Sequence, residues 1–257
     1  MFSKENRLFL YLLIIILTVL FISAYANKWS SKQSIQSFII TGNKFIPTEE
    51  LLGNVDSALI DCSRDELELL DLKDKIVKHP FVMSSFVMQK GANSIEIEIN
   101  ERKPVAILIK NDGSLCYSDF FGNILPYRLS LKFCGLPVLR NFFVNGILDS
   151  AGLKDAIEIL KEIRKPEFAK ISSIISEIEY QKGSFNFISS DYSYPIIFGC
   201  ANNIKVKLEI LDDFYNNAFF ELDAKDIRYV DVRWNERIIV QTNSDYLNTL
   251  IQANVLQ

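Results

Sequence analysis

The stretch SIEIEINERKP, residues 94–104, combines a strand signal with a domain boundary. Ile95, Ile97 and Ile99 alternate with polar residues, and this period of two is typical of a strand with one buried and one solvated face. We expect the isoleucines to face inward and the two intervening glutamates to face outward. Beyond the Arg-Lys-Pro that ends the stretch, the chain becomes mainly strand, which predicts a second domain.

On the N-terminal side, residues 35–103 are predicted to form a β-α-α-β-β module. Ile35 to Thr41 suits a strand that ends in a Gly-Asn turn. Thr48 is a good N-cap for a helix, and a second short helix is expected near Asp71, ended by His-Pro. Phe81 to Met88 then precedes the isoleucine strand across a Gly-containing turn.

On the C-terminal side, residues 104–242 are predicted to form a mixed, β-rich domain with at least two helices. Leu153 to Arg164 and Ile204 to Tyr215 show helical periodicity. The other apolar segments are short and separated by turn residues, and Arg228 to Gln241 is predicted to close the sheet as one strand. Residues 243–257 form a polar tail. The fold class is therefore α+β.

An apolar segment precedes both domains. Leu8 to Ala26 contains 19 residues without a charge, and a helix of that length spans roughly 28 Å. We predict a transmembrane helix at 8–26, with residues 1–7 on the cytoplasmic side and residues 27–34 as a tether to the exported region. The alternative is a cleaved signal peptide, because Ala24-Tyr25-Ala26 has the small-x-small form of a cleavage site.

Composition narrows the classes of function. The 257 residues carry a formal net charge of −4 with one histidine and four cysteines. An acidic chain without a basic block argues against a nucleic-acid partner. His79 precedes proline at a predicted helix end, which favours a structural role over catalysis. Cys62, Cys116, Cys134 and Cys200 are widely spaced, so we expect buried free thiols, with disulfides as the alternative. We predict no enzyme activity, cofactor, metal or small-molecule substrate.

Seven segments, in order behind one apolar run, resemble motifs of the FtsQ/DivIB family of bacterial cell-division proteins. The residues IEIEINERKPVA resemble the family pattern L-x-I-x-V-x-E-R-x-P-V-A, and YVDVRW resembles x-I-D-L-R-Y with Trp in place of Tyr. The matching segments are Ile39–Asn43, Lys78–Val87, Ile95–Ala106, Ser118–Leu125, Leu136–Leu139, Lys207–Leu211 and Tyr229–Trp234.

The resemblance implies a POTRA module at 35–103 and an FtsQ-type domain at 104–242. It implies a single-pass protein of the cytoplasmic (inner) membrane at the division site, held in the lipid bilayer by residues 8–26, with the large domain on the periplasmic or extracellular side. Its expected partners are the bitopic proteins FtsB and FtsL and, indirectly, the septal peptidoglycan synthase pair FtsW–FtsI. Its implied role is assembly and regulation of the divisome. The alternative is a POTRA-containing module of outer-membrane protein transport.

A partner-binding surface is predicted on the last strand, where an added strand could pair with an open edge. Tyr, Trp and Arg are enriched in binding hot spots, and the segment adjoins the FtsB-binding strand of the family that it resembles. Strand alternation would place Arg233 and Trp234 on opposite faces. The competing interpretation is a core Trp234 and a solvated Arg233. The predicted residues are Tyr229, Val230, Asp231, Val232, Arg233, Trp234, Ile238 and Val240.

Overall fold

A computed structural model describes most of the chain, which divides into two compact units, 1–102 and 103–257. Helix α1 runs from Lys4 to Ser30. In the part of the chain that the structure describes, no helix combines the length and the apolarity needed to cross a membrane. The first half of the predicted tether belongs to α1, and the other half and most of the predicted tail lie outside that part. The described residues are 4–30, 37–53, 69–91, 93–129, 131, 133, 135–234, 237–243 and 250–251.

The first unit contains a three-stranded sheet with strand order β1-β3-β2. Strand β3 is central, parallel to β1 and antiparallel to β2. In the described residues, the elements follow the predicted β-α-α-β-β order. After α1, the elements are β1 (Ser37–Thr41), α2 (Thr48–Gly53), α3 (Leu69–Val77), β2 (Val82–Lys90) and β3 (Ser94–Glu101).

The predicted phase of strand β3 is also confirmed. Ile95, Ile97 and Ile99 are buried, whereas Glu98 is exposed and Glu96 is partly exposed. The inward-facing row therefore supplies the sheet side of a small hydrophobic core. Buried residues of the two helices complete the apolar interior of this unit: Leu51, Leu72 and Ile76.

A buried carboxylate fixes the loop that follows β1. The backbone N–H groups of Phe45 and Ile46 donate to the Glu101 carboxylate, with N···O distances of 2.8–3.0 Å. Gly42 has φ of +85°, and a Cβ at that position would lie 2.2 Å from the carbonyl oxygen of Ile99. Only glycine fits so close to the neighbouring strand at this φ. The motif residues Gly42 and Glu101 therefore stabilise the same loop.

Histidine and cysteine positions were also predicted. His79 lies just after α3, where its Nε2 is 2.9 Å from Glu50 Oε1 and its Nδ1 accepts the N–H of Phe81. This is the expected structural position at a helix end. Cys116 is a buried free thiol, as predicted, but the free thiol of Cys200 is exposed, so its predicted burial is wrong. The other two cysteines lie outside the described residues.

The second unit contains a ten-stranded mixed sheet with strand order β15-β14-β13-β12-β11-β10-β7-β4-β5-β6. Strands β8 and β9 form a separate hairpin. The elements are β4 (Ala106–Ile109), β5 (Leu115–Ser118), β6 (Ile124–Pro126), β7 (Val138–Arg140), β8 (Phe143–Val144), β9 (Ile147–Leu148), α4 (Ser150–Ile163), α5 (Ala169–Ile174), β10 (Ile175–Gln181), β11 (Ser184–Ser189), β12 (Pro195–Gly199), α6 (Ile204–Asp213), β13 (Ile227–Asp231), β14 (Ile238–Thr242) and β15 (Leu250–Ile251).

Helices α4 and α6 contribute apolar stripes to the core of this unit, together with aromatic residues of the sheet. Helix α4 begins three residues before the predicted start because Asp149 accepts the N–H of Gly152 at 2.9 Å and caps it. The pattern of apolar residues favours a strand at Ile174, but this residue ends the short helix α5. Helix α6 ends at Asp213, two residues before the predicted end, and is followed by one π-helical turn, Phe214–Ala218.

The predicted single strand from Arg228 to Gln241 is wrong. The segment forms two antiparallel strands, β13 and β14, in which Val230 pairs with Val240 and Asp231 with Ile239. The residues that were predicted to alternate along one strand therefore lie on two strands and on the connection between them.

Candidate partner-binding surface

The eight predicted binding residues lie close together at one end of the large sheet. Strand β13 is parallel to β12 and antiparallel to β14, so it lies inside the sheet and is not an edge strand. Tyr229, Val230 and Asp231 belong to β13, and Ile238 and Val240 belong to β14. The other three residues, Val232, Arg233 and Trp234, follow β13 on the connection.

Four of the eight residues face the hydrophobic core, where no partner side chain can reach them. They are all at most 3% exposed: Val230, Val232, Ile238 and Val240. Their side chains hold the two strands against the core, and only their backbone groups could contribute to binding. The predicted residues therefore lie together in space, but half of their side chains are structural.

Asp231 and Arg233 form a compact ion pair where β13 ends. The Asp231 side chain is 5% exposed, and its Oδ2 lies 2.6 Å from Arg233 Nη2. Arg233 Nε lies 3.0 and 3.1 Å from the two carboxylate oxygens, and the Arg233 backbone N–H also donates to Oδ1 at 3.0 Å. The Asp231 carboxylate therefore accepts hydrogen bonds from both the backbone and the side chain of Arg233. These hydrogen bonds direct the chain out of the sheet after β13.

The aliphatic part of Arg233 lies over Gly199 at the end of β12. Gly199 has φ of +75°, and a Cβ there would lie 2.9 Å from Arg233 Cγ. Hydrogen bonds to Asp231 raise the pKa of Arg233 above its ordinary value, so the guanidinium stays charged. The result is a positioned cation, half exposed, that can still donate to a carboxylate or a carbonyl oxygen of another molecule.

Trp234 follows this pair and is 50% exposed. Because Arg233 and Trp234 lie on a connection, the predicted alternation on opposite faces does not apply, and both present surface to solvent. The alternative of a core Trp234 is wrong. Tyr229 is partly exposed and lies on the sheet face opposite Val230, beside its cross-strand partner Gln241. A charged and an aromatic group thus adjoin the end of the sheet.

The edge next to this surface is partly covered. On its outer side, β14 pairs with β15 through Ile238–Ile251 and Ile239–Leu250. The prediction of an open edge at Tyr229–Val240 is therefore wrong for β13, and in β14 both Ile238 and Ile239 have a partner in β15. A partner segment that pairs with the backbone at Ile238 and Ile239 would take the place of β15.

Neither Gly199 nor the cross-strand position of Ile239 was predicted. Gly199 supports Arg233 but comes from a strand more than 30 positions earlier, so no local pattern could identify it. Ile239 lies opposite Asp231 on the solvent-side face, and its assignment required the strand pairing. An arrangement of one ion pair, one indole and a strand edge is suited to protein binding.

Comparison with known sequences identifies the family. The model of the "FtsQ/DivIB, C-terminal related" family matches residues 103–241, which cover almost all of the second unit, including β13 and most of β14. The chain belongs to the FtsQ/DivIB family. The resemblance inferred from the seven sequence segments is thereby confirmed.

Two curated relatives agree with the FtsQ/DivIB assignment. The cell division protein FtsQ of Geotalea daltonii is 26% identical over 181 residues, which cover 68% of this chain and 64% of that protein. The cell division protein FtsQ of Neisseria meningitidis serogroup B is 23% identical over 241 residues, 91% of this chain and 94% of that protein. The chain therefore spans less than two thirds of the first relative and nearly all of the second.

Proposed function

We propose that this FtsQ/DivIB member is a non-enzymatic cell-division protein that assembles and regulates the divisome. Its partners would be bitopic proteins of the FtsB and FtsL type, which would connect it to the FtsW–FtsI septal peptidoglycan synthase. The observation that carries the proposal is the family match over residues 103–241, because it spans the surface formed by β13, β14 and their connection. The rival role in outer-membrane protein transport has no comparable support.

The chemistry of the surface supports partner binding through both backbone and side chains. Arg233 is held in place by Asp231, so little side-chain entropy is lost when it contacts a partner. Trp234 offers a large, half-exposed aromatic surface beside it. A partner segment that pairs with β14 would place its own side chains near both residues.

The organisation of the remaining chain follows the same proposal. Residues 35–103 would be a POTRA domain, and residues 104–242 the FtsQ-type domain. Residues 8–26 would anchor the chain in the cytoplasmic membrane at the division site, with residues 1–7 inside and the large region outside. The support for the anchor is the 19-residue run without charge, which lies within helix α1.

A binding experiment tests the partner surface. The full chain in detergent is titrated with the extramembrane segment of the FtsB-type protein from the same organism. Trp234→Ala is expected to weaken binding by at least about fivefold, as for a hot-spot aromatic residue. The matched control is Phe220→Ala, because Phe220 is 78% exposed but lies on a different turn. Equal affinity of the wild type and Trp234→Ala would contradict the assignment of this surface.

Proline substitution tests the backbone contribution. Consecutive amides of a strand point to opposite edges, so one of Ile238 and Ile239 donates toward β13 and the other toward the outer side. Proline at the residue whose amide donates toward β13 should unfold the domain. Proline at the residue whose amide points toward the outer side should abolish FtsB binding in a folded protein. If both variants fold and bind normally, recognition lies elsewhere.

Protease treatment of spheroplasts tests the topology. The large region should be digested, leaving a short membrane-bound fragment that contains residues 8–26. A mature protein that begins at Asn27 would instead show that the apolar segment is a cleaved signal peptide.

A further inference from the structure

A second surface lies at the opposite end of the large sheet, where a groove of about 430 Å³ runs along helix α4. Its floor consists of Leu153 and Ile157, both nearly inaccessible, and Leu148 from β9 lies beside them. Phe120 and Phe121, from the turn between β5 and β6, form the facing wall.

The exposed Phe121 is held on a rigid turn. Asp119 is 2% exposed, and its Oδ1 accepts the N–H groups of Phe121 and Asn123 at 2.8 and 2.9 Å. Its Oδ2 accepts from Asn123 Nδ2 at 2.8 Å, and Gly122 completes the turn with φ of +82°. The turn needs Asp119 and Gly122 but no aromatic residue at position 121. Nevertheless, the Phe121 side chain is 76% exposed, on a backbone whose conformation is fixed before any ligand arrives.

The rim of the groove carries a charge opposite to that of the chain. Lys154, Glu158 and Lys161 line it on successive turns of α4, which gives a net charge of +1. Lys161 Nζ lies 2.8 Å from Glu158 Oε1, so this pair is internally neutral. In the described residues, Lys154 has no carboxylate partner. The unbalanced cation therefore lies beside the apolar floor of a chain whose net charge is −4.

We propose that this groove binds an amphipathic helix of another protein, one whose apolar stripe is flanked by carboxylates. From Ser150 to Lys161 the groove follows α4 for roughly 16 Å, about three helical turns. A partner helix alongside α4 would insert apolar residues between Phe121 and Ile157 and place an acidic residue beside Lys154. The complementary charge selects an acidic helix over a basic one.

This surface is separate from the one formed by β13 and β14. The two lie at opposite ends of the strand order, so one chain could hold two partner segments at once. The proposal does not depend on the identity of the partner at β14. A variant in the groove should therefore leave binding at Trp234 unchanged, and the reverse should also hold.

The experiment uses the full chain in detergent and two labelled helical peptides with the same leucine stripe. One peptide has glutamates along its flanks, and the other has lysines. Fluorescence anisotropy should show binding of the acidic peptide and much weaker binding of the basic one. Phe121→Ser should lower the affinity for the acidic peptide by about tenfold, as the loss of an anchor residue does. Because Phe121 is exposed, the variant should fold normally.

Charge exchange gives the decisive comparison. Lys154→Glu should lower the affinity for the acidic peptide by about fivefold and raise the affinity for the basic peptide. The matched control is Lys225→Glu, on an exposed turn before β13, which should change neither affinity. Equal binding of both peptides, or unchanged binding to Phe121→Ser, would overturn the proposal. Concentration-dependent self-association that Phe121→Ser abolishes would overturn it too, because the occupant would then be a second copy.

Discussion

Because Asp231 and Arg233 form an ion pair, we expect Asp231→Asn to lower the stability of the wild type but to raise the stability of Arg233→Ala. Asp231 is nearly inaccessible, whereas the Arg233 side chain is 49% exposed. The two residues therefore differ in what they lose when their partner is removed. Arg233 without Asp231 can be solvated by water, but Asp231 without Arg233 is a buried carboxylate whose remaining described donor is the Arg233 backbone N–H.

The magnitudes follow from this asymmetry. Breaking a buried pair costs about 3–5 kcal/mol, and breaking an exposed pair costs about 0–1 kcal/mol. Arg233→Ala should lie between these values, near 2 kcal/mol. Asp231→Asn keeps an oxygen for the backbone N–H and should cost about 1 kcal/mol. In the Arg233→Ala background, Asp231→Asn removes the unpaired charge and should restore about 1 kcal/mol.

Urea unfolding of the four proteins, followed by circular dichroism, measures this cycle. The expected result is that Asp231→Asn lowers the free energy of unfolding in the wild type and raises it in Arg233→Ala. The denaturant m-value should stay constant across the four proteins, so that the free energies can be compared. If Asp231→Asn has the same effect in both backgrounds, the two side chains are not coupled, and the positioned cation proposed for partner binding does not exist.

Three further predictions concern the fold and are checked by the same unfolding measurement. Ile97→Asp should destabilise the first unit by several kcal/mol because it buries an unpaired charge, whereas Glu98→Lys should change stability by less than about 0.5 kcal/mol; similar losses would contradict the strand phase. Glu101→Ala should cost about 2–4 kcal/mol because two N–H groups lose their acceptor, and a loss below about 1 kcal/mol would show that water replaces it. Gly152→Ala should destabilise by about 1–2 kcal/mol despite the better helix propensity of alanine, because its Cβ would lie 2.5 Å from the Tyr180 ring; a gain in stability would refute the close packing.

The sequence was most informative where one local pattern decides the structure. The period of two in β3 predicted its bounds and its buried face, since alternation with glutamate leaves a single choice of core side. The helical periodicity of the apolar residues predicted both α4 and α6, although α4 begins three residues before its predicted start because of the Asp149 cap. Such features need no knowledge of distant residues.

The break between β13 and β14 could not be predicted in the same way. Val230, Val232 and Trp234 continue the apolar alternation past the end of β13, so periodicity favoured one strand. The chain leaves the sheet because Asp231 binds the N–H and the guanidinium of Arg233, an interaction that periodicity does not record. The groove on α4 was equally hidden, because Phe121 and Ile157 meet only in the tertiary structure.

The positions of the family motifs suggest how fold and binding are divided along this chain. Gly42, Glu101, Asp119 and Asp231 each organise a loop or turn by close backbone approach or by accepting main-chain N–H groups. The exposed aromatic residues proposed to bind lie beside such residues: Phe121 lies two positions after Asp119, and Trp234 three positions after Asp231. Motif residues with buried or main-chain roles therefore hold the scaffold, while binding specificity would depend on the exposed side chains beside them. Variants for mapping partners should change those side chains and leave the turn residues intact, since losing a turn residue would alter the loop as well as the contact.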